Sequence, residues 1–313
     1  MKNRGKNYFK LYVSLSLSLL SCSATQYQED SFPIFIPSNV LDYNGAPSSP
    51  KDRLSLSFSD QGAWFSYGFS NEENKILGFS GPFLMAQGHG EWSSKALSQL
   101  ELTNNETKVK LEFNDFSISQ TSNNSHLNQV IENEKLKLEQ NLFYNSPHSA
   151  IITTQITNFS DETINLQPSW KGAVFSIGLI ITKEGNAITL TTDRNTAKGI
   201  IQTFDDDINH ITNTDSSYSI LLNNIKLKAR ETKTLTLAQT FIFPEYDAVK
   251  EQQELEFSAK MPLNQLHNRI IEKEEEFTTL NNKLDPHWQD STYKYLVAKT
   301  ILTLQNNTRI GVG

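Results

Sequence analysis

The chain has 313 residues, of which 37% are hydrophobic and 20% charged, and this is the composition of a globular protein rather than of a disordered or collagen-like one. With 28 basic and 35 acidic side chains, its formal net charge is −7. This balance argues against a nucleic-acid partner, because nucleic-acid-binding proteins need a basic stripe to neutralise phosphates.

The first residues have the pattern of an export signal. Residues 11–20 (LYVSLSLSLL) form an apolar stretch of signal-peptide length that is too short to span a membrane. Cys22 follows almost directly, and as the single cysteine of the chain it excludes an internal disulfide and a cysteine-based zinc site. The residues before the apolar stretch include four basic ones and no acidic one: Lys2, Arg4, Lys6 and Lys10.

This arrangement resembles a bacterial lipoprotein signal, in which the cysteine becomes the lipidated first residue of the mature chain. We therefore predict a signal peptide over residues 1–21, lipidation of Cys22 and a polar tether over residues 22–34. The mature protein is expected to be secreted and lipid-anchored at a bacterial cell membrane, at the outer membrane or on the periplasmic side. The alternative is a plain secretory signal in which Cys22 stands at this position by chance.

From residue 35 to residue 244, hydrophobic and polar residues alternate with the period of two that is typical of strands. Turn-forming residues separate the alternating runs, for instance at 184–186 and 228–231. Many short strands spaced by polar turns predict a mainly β fold, a large antiparallel sandwich. The clearest alternating runs are 54–58, 109–113, 136–138, 151–156 and 235–243.

Beyond residue 244 the hydrophobic spacing becomes helical, and residues 245–313 are predicted to form linker helices. One helix is expected to begin at Pro262, because proline suits the first helical position. Another is predicted from Tyr293 to Leu304, with Asn306-Asn307 ending it. We expect the sandwich to cover the apolar stripe of this last helix only in part. The residues of the stripe are Tyr293, Leu296, Val297, Thr300, Ile301 and Leu304.

Few polar side chains stand in a pattern that carries chemistry. The six histidines have no HExxH spacing, and His89 is interpreted as a turn residue. Asp205-Asp206-Asp207 is the densest group of acids, but adjacent strand residues face opposite sides, so a solvated turn is favoured. The run Glu272–Glu276 is interpreted as a solvated helix face rather than a metal site. We predict no metal, no cofactor and no catalytic residue within this chain.

Four tryptophans are the residues best suited to stack on sugar rings. Large aromatic residues of a sandwich are more often part of its core, so no carbohydrate-binding residue is assigned from the sequence. The four are Trp64, Trp92, Trp170 and Trp288.

Several ordered segments resemble a known family. Asn39–Asp42 with Gly45-Ala46-Pro47, then Asp60–Phe65 and Gly78–Pro82, resemble the N-terminal domain of bacterial α-glucosidases of glycoside hydrolase family 63. The last stretch is also similar: Ala298–Leu304 with Asn306-Asn307 and Arg309 resembles the helix that links this domain to the catalytic domain. The chain departs from the family at Thr308, where the family has a tryptophan.

The resemblance implies an N-terminal super-β-sandwich, linker helices and a C-terminal (α/α)6 barrel that carries the catalytic acid and base. No position here matches either catalytic residue, and the sequence ends where the barrel would begin. We therefore expect the non-catalytic N-terminal portion of a surface-anchored, α-glucosidase-like glycoside hydrolase. Its expected partners are the barrel, absent here or separately encoded, α-linked glucosides bound through that barrel, and the membrane reached through lipid.

A function of another class stays open. The chain could be a stand-alone carbohydrate-binding or scaffold lipoprotein, with a face of the sandwich and its aromatic residues as the site. Whether the chain is by itself an enzyme is likewise open.

Overall fold

The structure is a computed structural model, and it describes residues 36–70, 75–86, 89–175, 178–192, 197–205 and 208–311. Strands fill the first part of this region and helices the last part, which confirms the predicted mainly β fold class. The predicted signal peptide, Cys22 and the tether lie outside the described residues.

The strands that the structure describes are all antiparallel to their neighbours. In chain order they are β1 Phe65–Phe69, β2 Phe79–Leu84, β3 Glu91–Trp92, β4 Gln99–Asn104, β5 Ser117–Ser122, β6 His126–Glu132, β7 Leu136–Tyr144, β8 Ser149–Asn158, β9 Ile164–Ala173, β10 Leu179–Glu184, β11 Ala187–Thr192, β12 Lys198–Thr203, β13 Ile208–Asn213, β14 Ser217–Leu222, β15 Ile225–Leu227 and β16 Thr232–Ile242.

Three sheets contain these strands. The largest has eight strands in the order β10-β11-β12-β16-β8-β7-β6-β5. A second sheet has the order β13-β14-β9-β15, with β4 pairing to the other edge of β9, and a third has the order β1-β2-β3. Inward-facing residues of neighbouring strands meet in register, as where Leu138 and Leu142 lie opposite Ile156 and Ile152. All four side chains are buried, and each buried side chain of this size stabilises the fold by about 1.5–3 kcal/mol.

Two of the predicted strands are wrong. Leu54 is 97% exposed and Val109 is also exposed, and neither run 54–58 nor run 109–113 is a strand. Among the described residues, each run makes only a single antiparallel bridge, from Lys110 to Thr103 and from Phe58 to Tyr67, and each follows a turn that a side chain holds. The carboxylate of Asp52 accepts hydrogen bonds from the backbone amides of Ser48 and Leu54. The side-chain oxygen of Asn104 accepts hydrogen bonds from the backbone amides of Glu106 and Thr107.

Three helices follow the strands: α1 Ala248–Lys260, α2 Pro262–Asn282 and α3 Lys294–Asn307, the last preceded by a 3₁₀ turn, Ser291–Tyr293. The predicted start at Pro262 and end at Asn307 are confirmed. The hydrophobic spacing does not single out helix α1, because this helix buries few hydrophobic residues and leaves Phe257 exposed. Among the described residues no helix is both long enough and apolar enough to cross a membrane.

The helices cover the sandwich from outside. Leu255 of α1 and Leu266 of α2 pack in one apolar cluster with Phe143 and Ile151, which lie on strands β7 and β8 of the eight-stranded sheet. Farther along α2, Phe277 joins the main core of the sandwich. The linker helices are therefore integral to the folded unit, and the sandwich fixes their direction.

Candidate functional site

The segment that carries the family resemblance near the start of the sandwich contacts the segment that carries it after α3. The side-chain oxygen of Asn306 accepts a hydrogen bond of 2.6 Å from the amide of Ser59, and its NH₂ group donates to the carbonyl of Ser57 at 3.0 Å. The amide of Ile310 donates to the carbonyl of Gly62 at 2.9 Å. We call the contact between residues 57–64 and 306–311 the junction.

Glycine is required at position 62. Its φ of +76° lies in the left-handed region, and a Cβ atom added there would stand 2.8 Å from both the backbone nitrogen and a side-chain carbon of Ile310. Trp64 completes the junction, because its indole Nε1 donates to the carbonyl of Ile310 at 2.9 Å. The chain after α3 is thus held by backbone and side-chain bonds at several points.

A buried ion cluster ties α2 to the same motif. The carboxylate of Asp60 accepts from Nε of Arg269 at 2.9 Å and lies 2.9 Å from the ammonium of Lys273. All three side chains are buried, while Glu272 and Glu276, which pair with these cations, are more exposed. Burial alone would lower the pKa of Arg269, but the charge of Asp60 outweighs it and raises that pKa. The ion pairs of Asp60 with Arg269 and Lys273 hold α2 against the sandwich.

Arg309 is a half-buried cation of a different kind. Its guanidinium donates to the backbone carbonyls of Asn306 and Thr308 at 2.8 and 2.5 Å, and its Nε lies 2.9 Å from the sulfur of Met85. Within the described part of the chain it forms no ion pair with a carboxylate. Burial lowers its pKa. The junction thus presents a positive charge that this region of the chain does not neutralise.

The expected partial cover of α3 is confirmed. Val297, Ala298 and Leu302 are buried against the core. Leu296 and Leu304, which belong to the same stripe as Val297, are 54% and 66% exposed. Leucines spaced by eight residues lie on one face, so α3 presents an apolar stripe to solvent that ends beside the junction.

The acids and histidines singled out in the sequence do not converge. His89 lies in a turn with a φ of 64°, as expected. Asp205 accepts hydrogen bonds from the Thr203 hydroxyl and the Thr236 amide, so it stabilises the pairing of strands β12 and β16. Asp206 and Asp207 lie outside the described residues. No group of three or more metal-ligating side chains occurs in the part of the chain that the structure describes.

One interpretation of the Glu272–Glu276 run needs correction. The run does not form a wholly solvated face, because Lys273 at its second position is buried on Asp60. The physical reason is that charged residues three or four apart share a helix face, and Arg269 and Lys273 both point at one carboxylate. The four-residue spacing of Arg269 and Lys273 indicates that the two cations share a helix face. No local feature of the sequence identifies Asp60 as their partner, because it lies 209 residues away from Arg269.

The tryptophans divide into two groups. Trp92 and Trp170 are fully buried, which confirms their assignment to the core. Trp64 lies at the junction and lines a small apolar cavity of about 60 Å³ together with Phe241 and Phe243. Trp288 is 43% exposed and packs edge-on against Tyr293 at 5.1 Å, so it belongs to the linker and not to the core.

A family model described as "Glucosidase YgjK, N-terminal" matches residues 48–229, more than half of the chain. A search of curated proteins gave no significant match. Residues 230–313, with the three helices, lie beyond the region that the family model matches.

Solved structures of low identity are also similar. A "Putative kojibiose phosphorylase from human microbiome" is 13% identical with a TM-score of 0.40. The match covers 87% of this chain and 35% of the phosphorylase chain. A mutant form of heparan sulfate lyase HepC of Pedobacter heparinus is 11% identical with a TM-score of 0.33. The match covers 47% of this chain and 24% of the lyase chain. A galactose mutarotase-like protein of Lactobacillus casei is 8% identical with a TM-score of 0.40. The match covers 60% of this chain and 99% of the mutarotase-like chain. The chain thus spans about a third of the phosphorylase's length and a quarter of the lyase's.

Proposed function

The chain belongs to the family of glucosidase YgjK N-terminal domains, and we propose that it is the non-catalytic N-terminal portion of a surface-anchored glycoside hydrolase acting on α-linked glucosides. Membership makes it a glycosidase-related carbohydrate-processing domain. The proposal adds the division of labour: this chain orients a catalytic (α/α)6 barrel, and the barrel performs the hydrolysis.

The junction is the observation that carries this proposal. A domain that follows residue 311 would leave the sandwich from a point fixed by Asn306, Gly62 and Trp64. The polypeptide there is bonded at several atoms, so its direction is set by the fold rather than by a loose linker. Orientation of one domain by another requires such a fixed exit.

The surface beside the junction supports a docked partner. Leu296 and Leu304 form an exposed apolar stripe on α3, and Arg309 carries a charge without a carboxylate partner in the described region. A barrel docked here would cover the leucines and could offer an acidic side chain to the guanidinium. Covering each leucine would contribute about 1.5–3 kcal/mol.

Two buried carboxyl groups of the described region have structural contacts. Asp60 is bonded to Arg269 and Lys273, which hold α2 against the sandwich. The buried carboxylate of Glu251 is engaged by the hydroxyls of Ser146 and Ser149.

Anchoring by lipid on Cys22 completes the proposal and rests on the sequence pattern alone. Two or more acyl chains hold a protein stably at a membrane, whereas one chain gives only marginal binding. An enzyme held in this way would act on glucosides at the cell surface or in the periplasm.

The experiment is a binding measurement between the purified chain and a separately produced (α/α)6 barrel of the same enzyme. We expect a stable complex by size-exclusion chromatography, weakened by Leu296→Ser and Leu304→Ser, which should leave the thermal stability of the free chain nearly unchanged. The matched control is Leu302→Ser, which alters a buried leucine and should destabilise the chain by about 2–5 kcal/mol. A stable chain that binds no barrel would favour the stand-alone carbohydrate-binding or scaffold protein.

A further inference from the structure

A polar cavity of about 200 Å³ lies on the sandwich, between residues 75–77, the start of β4 and residues 110–114. One water molecule needs only about 15 Å³ of such space, so the cavity has room for a ligand much larger than water. None of the residues that form the junction lines it. The cavity is therefore a separate feature with no part in the proposed docking.

Lys75, which lines the cavity, has a strained backbone conformation. Lys75 has a φ of 42°, a conformation that residues other than glycine seldom adopt. Its ammonium donates to the carbonyls of Asn114 at 2.7 Å and Phe116 at 2.8 Å, which joins two separate segments of the chain. Backbone strain of this kind persists only where the surroundings enforce it, and it concentrates at functional sites.

The charges that line the cavity balance. Glu101 lies between Lys110 at 3.0 Å and Lys171 at 2.5 Å. Burial would raise the pKa of Glu101, but these two ammonium groups outweigh it, so the carboxylate stays ionised at neutral pH. Lys171 does not line the cavity, so the lining itself has two positive groups, Lys75 and Lys110, and two negative groups, Glu101 and Glu112. A balanced lining favours a neutral polar ligand over an anion or a metal cation.

Hydrogen-bonding capacity remains for such a ligand. The side chains of Glu112 and Asn114 are exposed to solvent, and no hydrogen bond within the described part of the chain engages them. Gln99 uses only its NH₂ group, on the carbonyl of Ala96. Phe113 lines the same cavity and packs edge-on against Phe116 at 5.3 Å, which fixes its ring. Hydroxyl groups can both donate to and accept from this set, and the ring offers an apolar face for C–H groups.

We propose that this cavity is a non-catalytic binding site for one sugar unit of a neutral saccharide. Glu112, Asn114 and Gln99 would bond the hydroxyl groups, and Phe113 would contact the apolar face of the ring. The site would hold a saccharide chain on the sandwich, at residues that do not form the junction. Its existence does not depend on that docking, so either proposal can fail without the other.

The test is calorimetric titration of the full purified chain with maltotriose, with cellotriose and laminaritriose to distinguish linkages. We expect weak binding of at least one trisaccharide, with a dissociation constant on the order of 1 mM. Asn114→Ala and Glu112→Gln should each weaken it about two- to tenfold, the loss expected for one or two hydrogen bonds. The control is Glu106→Gln, which makes the same acid-to-amide change at an exposed residue outside the cavity and should leave binding unchanged.

A second measurement needs no variant. Adding the trisaccharide should shift the side-chain amide signals of Gln99 and Asn114 in a ¹⁵N NMR spectrum of the unmodified protein. Failure of all three trisaccharides to bind would overturn the proposal. So would binding that is unaffected by both cavity variants and leaves these two amide signals unmoved.

Discussion

The indole nitrogen of Trp64 donates a 2.9 Å hydrogen bond to the carbonyl of Ile310, joining two residues that are 246 positions apart in the chain. The bond connects the first strand region of the sandwich to the segment after the last linker helix. The neighbouring contact of Ile310 with Gly62 parallels it. A family motif and the last residues that the structure describes are therefore in direct contact.

Replacing Gly62 by Ala should destabilise the chain by about 1–3 kcal/mol. The added Cβ would stand 2.8 Å from atoms of Ile310, and the φ of +76° is unfavourable for alanine. Urea unfolding measures the loss, and hydrogen exchange should show faster exchange of the Ile310 amide. Gly185→Ala is the matched control, because that glycine also has a positive φ of 59° but has no atom near its Cβ position. Equal losses in both variants, with no change in exchange at Ile310, would contradict the contact.

Replacing Asp60 by Asn should cost about 3 kcal/mol, because Arg269 and Lys273 would lose their buried anion and keep only the more exposed Glu272 and Glu276. The comparison variant is Lys273→Met, which leaves Asp60 paired with Arg269 and should cost clearly less. Both are measured by urea unfolding at neutral pH. A smaller loss for Asp60→Asn than for Lys273→Met would show that Asp60 does not anchor α2.

The fold class, the start of α2 and the end of α3 were predictable from the sequence, because the alternating and helical periods and Pro262 are local signals. The strands predicted around Leu54 and Val109 were wrong, since a period of two does not reveal that each run would make only one bridge to its neighbour in the described part of the chain. Neither the ion cluster on Asp60 nor the bond from Trp64 could be predicted, because each joins residues more than 200 positions apart.

Acidification should destabilise the chain through His126. Burial lowers the pKa of this histidine from 6.5 to about 4, although Glu139 opposes the shift. In the unfolded chain His126 is therefore protonated below about pH 6.5, whereas in the folded chain it is protonated only below about pH 4. Stability is fully present above pH 6.5 and falls as the pH drops toward 4, by about 2 kcal/mol at pH 5. Urea unfolding at pH 7.5 and pH 5 should show this loss, and His126→Gln should reduce it. An unchanged pH dependence in the variant would assign the loss to other groups.

Replacing Cys22 by Ala should release the protein from membranes, because the lipidated side chain would be absent. Fractionation of expressing cells measures the release, and mass spectrometry of the native protein should show an acylated N-terminal cysteine. Thr25→Ala, three residues farther along the predicted tether, should leave the protein with the membrane fraction. An unmodified Cys22 in the native protein would contradict the anchor.

The central claim is that this chain orients a catalytic domain and does not itself hydrolyse glycosides. Losing a positioned catalytic acid and base removes about 10²–10⁴-fold of rate for each proton transfer. The most direct measurement is the hydrolysis of 4-nitrophenyl α-glucoside by the purified chain, alone and with the separately produced (α/α)6 barrel. We predict no turnover by the chain alone and higher turnover by the mixture than by the barrel by itself. Robust turnover by the chain alone, abolished by changing one of its own carboxylates, would place the active site in the sandwich and contradict the account.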